Sequence, residues 1–137
     1  MTANLEELRA RLEAHGVAAT AQRLMIAALV LDRPQHVTAE QLIERLEARG
    51  ERVSKATVYN TLNLFAAKGL VRELCLDPAR AWFDSNVAPH FHVQNLDSGE
   101  LIDLAPDALE IKGSPDLPEG TSTEAIEVVI RVRRHRG

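Results

Sequence analysis

Three capped helices closed by a β-hairpin, then a second hairpin and one strongly apolar strand, predict an α+β chain. The order predicts an N-terminal winged helix-turn-helix domain over residues 1–83. A small C-terminal α/β dimerisation domain over residues 84–137 follows it. Helical apolar spacing marks the first part and β-branched runs mark the second.

Leu5, Leu8 and Leu12 recur at helical spacing, and Gly16 stops the run. Thr20 is a good N-cap for a second helix that carries Leu24, Ala27, Ala28 and Leu31 toward Pro34. The third helix opens on a capping box, Thr38 with Gln41 three residues on. Leu42, Ile43 and Leu46 are its apolar stripe, and Gly50 is its C-cap. Ser54 caps a fourth helix with Val58, Leu62 and Phe65 inward and Gly69 at its end. Leu70–Leu76 and Ala81–Asp84 then predict a hairpin over Asp77-Pro78-Ala79-Arg80.

The fourth helix has what a groove-reading helix needs. Its apolar face can anchor it, while Lys55, Tyr59, Asn60 and Asn63 project from the other face and its flanks. Asn reads adenine through a bidentate pair, and Lys and Tyr hydrogen-bond phosphates. An ordinary amphipathic helix with a polar outer face is the alternative these residues leave open.

The second part is organised around the stretch from Asp84 to Asp103. His90 and His92 lie two apart, so on a strand they share a face. Leu96-Asp97-Ser98-Gly99 is turn chemistry, and folding about Asp97-Ser98 sets His92 roughly opposite Asp103. Two imidazoles and a carboxylate on one patch, with Asp84 on the incoming segment, make a divalent-metal cage. A half-buried hairpin with solvated histidines is the competing reading. Beyond it, Ala105–Thr123 contains Pro106, Pro115 and Pro118 and is expected to be loop or a short helical turn. Ala125–Val132 is β-branched and apolar, a strand that would complete a small sheet whose apolar edge and face suit a dimer interface. Arg131, Arg133, Arg134 and Arg136 close the chain as a basic cluster, a solvated tail or a DNA phosphate contact.

Bulk properties narrow the classes further. The hydrophobic fraction of 45% excludes a disordered chain, and 4% aromatics require a core of Leu, Ile, Val and Ala. The longest apolar run, Leu24–Leu31, is too short for a membrane span, and the charged amphipathic N-terminus is unlike a secretory signal. A soluble cytoplasmic protein is expected. The lone cysteine, Cys75, excludes an internal disulfide and any Cys-x-x-Cys zinc site; in a predicted strand it reads as a packed, inert thiol. The net charge of -4 is unevenly spread: residues 45–72 hold 6 basic side chains against 2 acidic ones, and an acidic half follows. Phosphate contacts supply most non-specific DNA affinity, so so small a basic patch implies a dimer or a charge change on metal binding.

Ala19–Arg23 (A-T-A-Q-R), His36–Glu40 (H-V-T-A-E) and above all Ser54–Leu62 (S-K-A-T-V-Y-N-T-L), followed by F-D…H-F-H…G-E-L-I-D, resemble the ferric uptake regulator superfamily. The resemblance covers nearly the whole chain. The ligand spacing is similar to the peroxide-sensing branch, while Pro118–Gly120 and the V-V-I-R-V-R-R ending are similar to the iron-response-regulator branch. It implies a homodimeric, metal-dependent transcriptional repressor, not an enzyme, acting on palindromic double-stranded DNA operators. His36, Asp84, His90, His92 and Asp103 would be the ligands of Fe²⁺ or Mn²⁺, with Zn²⁺ able to bind in vitro. Arg23, Ser54, Lys55, Thr57, Tyr59 and Asn60 would contact DNA, with Tyr59 facing it and Arg23 on a phosphate or in the minor groove.

The chain departs from the superfamily where a structural Cys-x-x-Cys zinc site usually follows the H-x-H strand. Asn95 and Ser98 stand there, so no structural zinc is expected, and a single sensing metal per chain is. Fe²⁺ in such a site could react with H₂O₂ and oxidise His36 or His90, releasing DNA. A haem-responsive iron-response regulator is the main alternative, although His90-Phe91-His92 replaces three consecutive histidines and Cys75 precedes Leu76 rather than proline. A small metallohydrolase is the distant one. A five-ligand cage leaves it little room for an activated water.

Overall fold

A computed structural model describes residues 4–77 and 79–135, so Pro78 of the expected turn and Arg136 of the basic terminus lie outside the described residues. The chain divides into two units between Val87 and Ala88. The division falls four residues beyond the expected boundary because Asp84 ends a strand and Ser85 bonds back to Gln35, its amide donating to the Gln35 carbonyl at 3.0 Å.

The first unit runs α1 (Leu5–Ala14), α2 (Ala21–Val30), β1 (His36–Thr38), α3 (Ala39–Ala48), α4 (Lys55–Ala67), β2 (Arg72–Asp77) and β3 (Arg80–Asp84). Each helix starts where a polar side chain takes up an otherwise unpartnered amide. Asn4, Thr20, Thr38 and Ser54 accept from Glu6, Arg23, Gln41 and Thr57 respectively, and Thr38 with Gln41 completes the capping box. Gly50 and Gly69 take positive φ (72° and 78°) after α3 and α4, the left-handed turn glycine adopts without a side-chain penalty.

The apolar faces meet in one core. Leu8 and Leu12 of α1, Ile26, Ala27 and Val30 of α2, Leu42 and Leu46 of α3, Val58, Leu62 and Phe65 of α4, and Phe83 of β3 are all buried in it. Leu5 is the exception to its expected stripe: at the first position of α1 it overhangs the core and stays exposed. Ile26 and Val30 join the stripe of α2 because that helix is apolar over much of its circumference.

The β2–β3 hairpin forms as expected, and a third strand adds to it. β1 pairs antiparallel with β3, giving the order β1-β3-β2. Only three residues long, β1 lies too close to the capping box to show any period in the sequence. Cys75 is exposed, which corrects the expected packed thiol. Its neighbours Leu74 and Leu76 are buried, so side-chain alternation along β2 turns Cys75 the other way.

The second unit is a three-stranded sheet in the order β5-β4-β6, with β4 at Phe91–Asn95, β5 at Leu101–Leu104 and β6 at Val129–Val132. A single 3₁₀ turn at Pro106–Ala108 interrupts the loop after β5. β6 is half the expected Ala125–Val132 strand. It pairs in parallel with His92–Asn95, and the His92 amide reaches one residue further back, donating to the Val128 carbonyl at 3.2 Å.

Candidate metal centre and nucleic-acid face

The first unit places one imidazole beside one carboxylate. His36 and Asp84 are register partners on β1 and β3, so both side chains leave one face of the sheet. His36 Nε2 lies 3.4 Å from Asp84 Oδ2, and the carboxylate is fully buried. The Asn86 amide donates to Asp84 Oδ1 at 2.9 Å and holds the group's orientation.

The support beneath this pair was not legible beforehand. Gln35 precedes His36 and donates through Nε2 to the carbonyls of Leu29 (2.8 Å) and Val30 (3.0 Å) at the end of α2, and to Asp32 Oδ1 at 2.9 Å. Its Oε1 accepts from Arg45 of α3 at 2.8 Å. Its amide donates to Ser85 Oγ at 2.9 Å, and that hydroxyl donates to the Arg33 carbonyl at 2.8 Å. Gln35 and Ser85 thus clamp the two chains that carry His36 and Asp84. The only sequence signal is that each directly flanks a ligand candidate.

In the second unit three candidates come together, His90 just before β4, His92 on β4 and Asp103 on β5. His92 and Asp103 are register partners, as the turn predicted. Asn95 Oδ1 accepts from the amides of Asp97 (2.9 Å) and Ser98 (3.1 Å), and Gly99 adopts φ 77°, so this turn sets the register. Asp103 Oδ1 lies 3.3 Å from His90 Nε2 and 3.6 Å from His92 Nε2, and the two rings meet edge to face with centroids 4.5 Å apart. His90 Nδ1 donates to the Ala88 carbonyl at 2.6 Å, which fixes the tautomer and turns Nε2 toward Asp103. Ligand bonds of ~2.1 Å at 90–110° place donor atoms roughly 3.0–3.4 Å apart; the 3.3 Å spacing falls in that range and the 3.6 Å one lies slightly above it, close to what a small divalent cation needs. Nitrogen and oxygen donors with no thiolate suit Fe²⁺, Mn²⁺ or Zn²⁺.

The nucleic-acid candidates all lie on the first unit. Lys55, Tyr59, Asn60 and Asn63 are exposed along α4, opposite the buried Val58, Leu62 and Phe65. Ser54 and Thr57 are engaged with one another, their hydroxyls 2.8 Å apart, and so belong to the helix cap. Arg23 is half-buried, and its guanidinium donates to the Ala18 carbonyl at 3.0 Å. Tyr59 donates its hydroxyl to the Glu40 carboxylate on the first turn of α3. That hydrogen bond holds the Glu40 carboxyl below its ordinary range, and it pushes the Tyr59 phenol up. Among the described residues, no helix is long and apolar enough to cross a membrane.

The sequence profile of the ferric uptake regulator family matches residues 14–130. The peroxide operon regulator of Bacillus subtilis is 34% identical over 100 residues, which cover 73% of this chain and 69% of that protein. The crystal structure of the Vibrio cholerae ferric uptake regulator superposes with a TM-score of 0.72 at 27% identity, covering 92% of this chain and 98% of that one. The ferric uptake regulator from Pseudomonas aeruginosa, solved with manganese, gives 0.71 at 27% identity over 93% and 98%.

Proposed function

The chain belongs to the ferric uptake regulator family and is a metal-dependent DNA-binding transcriptional repressor of iron-homeostasis or peroxide-stress genes; from that premise we propose how its residues divide the work. His36 and Asp84, with His90, His92 and Asp103, serve one regulatory Fe²⁺ or Mn²⁺, and Zn²⁺ can substitute in vitro. Two ligands or three fall short of a six-coordinate ion. Only five residues separate Asp84 from His90, so chain length keeps the two sets within about 20 Å of each other at full stretch. The bound cation supplies positive charge beside the two carboxylates and selects the arrangement able to grip DNA.

The observation that carries this reading is the convergence of His90 and His92 Nε2 on Asp103 Oδ1, with His90 held by the Ala88 carbonyl. Solvated histidines need no such orientation. Manganese in the Pseudomonas relative's structure supports the choice of ion. The proposal includes no structural zinc, and hydrogen bonds made by Asn95 and Ser98 at the turn support it.

We place α4 in the major groove of a palindromic operator, with Lys55, Tyr59, Asn60 and Asn63 as its outward residues and Arg23 on the backbone. The second copy needed for a palindrome docks through the second unit. Ile102, Val93 and Ile130 form one cross-strand row, and Ile102 and Ile130 stay 48% and 38% exposed. An apolar sheet face of this kind is a protein interface. Likeness to the peroxide operon regulator extends the proposal to a peroxide signal, written as oxidation of His36 or His90 and read by mass spectrometry of their peptides. A cytoplasmic regulator, not an enzyme, is the reading throughout.

Fluorescence anisotropy on metal-stripped protein, with DNA selected from a random pool and each ion added in turn, tests it. Mn²⁺ or Fe²⁺ should tighten operator binding by about a hundredfold or more, a shift a few kcal/mol of differential affinity supplies. Equal binding with and without every ion would refute it, and loss of binding on haem addition would favour the haem-responsive alternative.

A further inference from the structure

The Glu40–Tyr59 contact places a carboxylate on a surface assigned above to a polyanion. Glu40 is exposed at the second position of α3, where a helix N-terminus favours an acid. That alone would explain its presence. It does not explain its partners: the Tyr59 hydroxyl from α4 donates to it, and Arg80 at the start of β3 is near enough to stabilise its charge. The hydrogen bond thus ties α4 to α3 at one side chain, and a charge on β3 favours its ionised form.

We propose that Glu40 is a positioning residue that determines specificity, committing the Tyr59 hydroxyl internally so that Tyr59 reads bases rather than anchoring on a phosphate. The proposal rests on the reading of α4 as the groove-facing helix. A phenol that donates to a carboxylate has no proton left for a phosphate oxygen. What it presents outward is its ring, an apolar surface suited to a thymine methyl, and an oxygen that still accepts from a base amino group. A hydrogen-bonded carboxylate also repels phosphates less than a bare one, while it still weakens indiscriminate binding.

Glu40→Gln should raise affinity for random-sequence DNA and lower the ratio of operator to random binding by about tenfold. Tyr59→Phe should lower the same ratio. The double variant should fall no further than the worse single, since Glu40→Gln weakens and Tyr59→Phe removes one and the same charge-assisted hydrogen bond. A readout without DNA comes from the phenol itself, because Tyr59 is the chain's single tyrosine. Its absorbance titration should lie above the ordinary phenol value of 10.0 and move back toward it in Glu40→Gln. A wild-type protein that selects no DNA sequence in Mn²⁺ would refute the groove reading itself. A wild type that binds its operator, beside a Glu40→Gln variant with unchanged discrimination and unchanged phenol titration, would overturn the Glu40 proposal alone. Additive losses in the double variant would overturn it too.

Discussion

The first unit encloses Leu12, Ile26, Leu42, Leu62, Phe65 and Phe83 away from water, whereas among the described residues of the second unit the buried side chains are His90 and His92. Its larger apolar groups, Ile102, Ile126, Ile130 and Val132, stay exposed. The contrast separates two ways of being stable. A chain with a dry core folds on hydrophobic burial. A three-stranded sheet without one needs something laid against it; the proposal above puts a cation at its buried imidazoles and a second copy on its bare isoleucines. On the proposed reading, the first unit's stability is independent of the ion, and the second unit's is not.

The sharpest way to break this contrast is His92→Ala. It removes a buried ligand candidate from the second unit and nothing from the first unit's core. Operator binding should lose its response to Mn²⁺, with metal affinity down by more than the roughly 10–100-fold that supporting residues cost. Denaturant unfolding of the first unit should be unchanged. If that unfolding shifts as well, the imidazole is a structural strut and the division between the units fails.

A charge on the bare sheet face tests the other covering. Ile102→Asp puts a carboxylate into the row with Val93 and Ile130. Sedimentation should show the dimer dissociating at least tenfold more readily, since an uncompensated charge in an apolar contact costs several kcal/mol. An unaltered sedimentation coefficient would mean that the second copy docks elsewhere.

How far the sequence disclosed this arrangement depends on how local each signal is. The helix caps, the glycine stops and the β4–β5 register were legible, because each is set by residues within a few positions of one another, as Thr38 with Gln41 or Asn95 with Ser98. β1 was not, since three residues hold no period and its partner β3 lies more than forty positions on. The same distance hid the Gln35–Ser85 clamp. His36 entered the ligand set through family resemblance, and its pairing with Asp84 came from the strand register. The truncation of β6 also escaped, because the pattern of residues 125–132 says nothing of where its pairing with β4 begins.

Gln35→Ala sharpens the contrast from the other side. It strips the α2 carbonyls of their donor, leaves Arg45 without that acceptor, and loosens the chain carrying His36. The first unit should lose about 1–3 kcal/mol in denaturant unfolding, the usual cost of buried groups left unsatisfied. Metal affinity should fall tenfold or more. A stability loss with intact metal affinity would make the clamp purely architectural.

The smallest effect is expected at Cys75, where the first unit's surface rather than its core is in question. Leu74 and Leu76 point inward and Cys75 outward on β2, so the thiol sits on the wing strand in contact with solvent. Cys75→Ser should change stability by no more than about 0.5 kcal/mol, as surface substitutions do. The native thiol should react with a disulfide reagent as fast as it does in denaturant, without loss of helical circular dichroism. Slow native labelling, or a loss of stability typical of a core position, would show that β2 turns its other face to the core. The register of β2 on β3, with Leu74 opposite Trp82 and Arg72 opposite Asp84, would then shift by one residue and carry Arg72 away from Asp84.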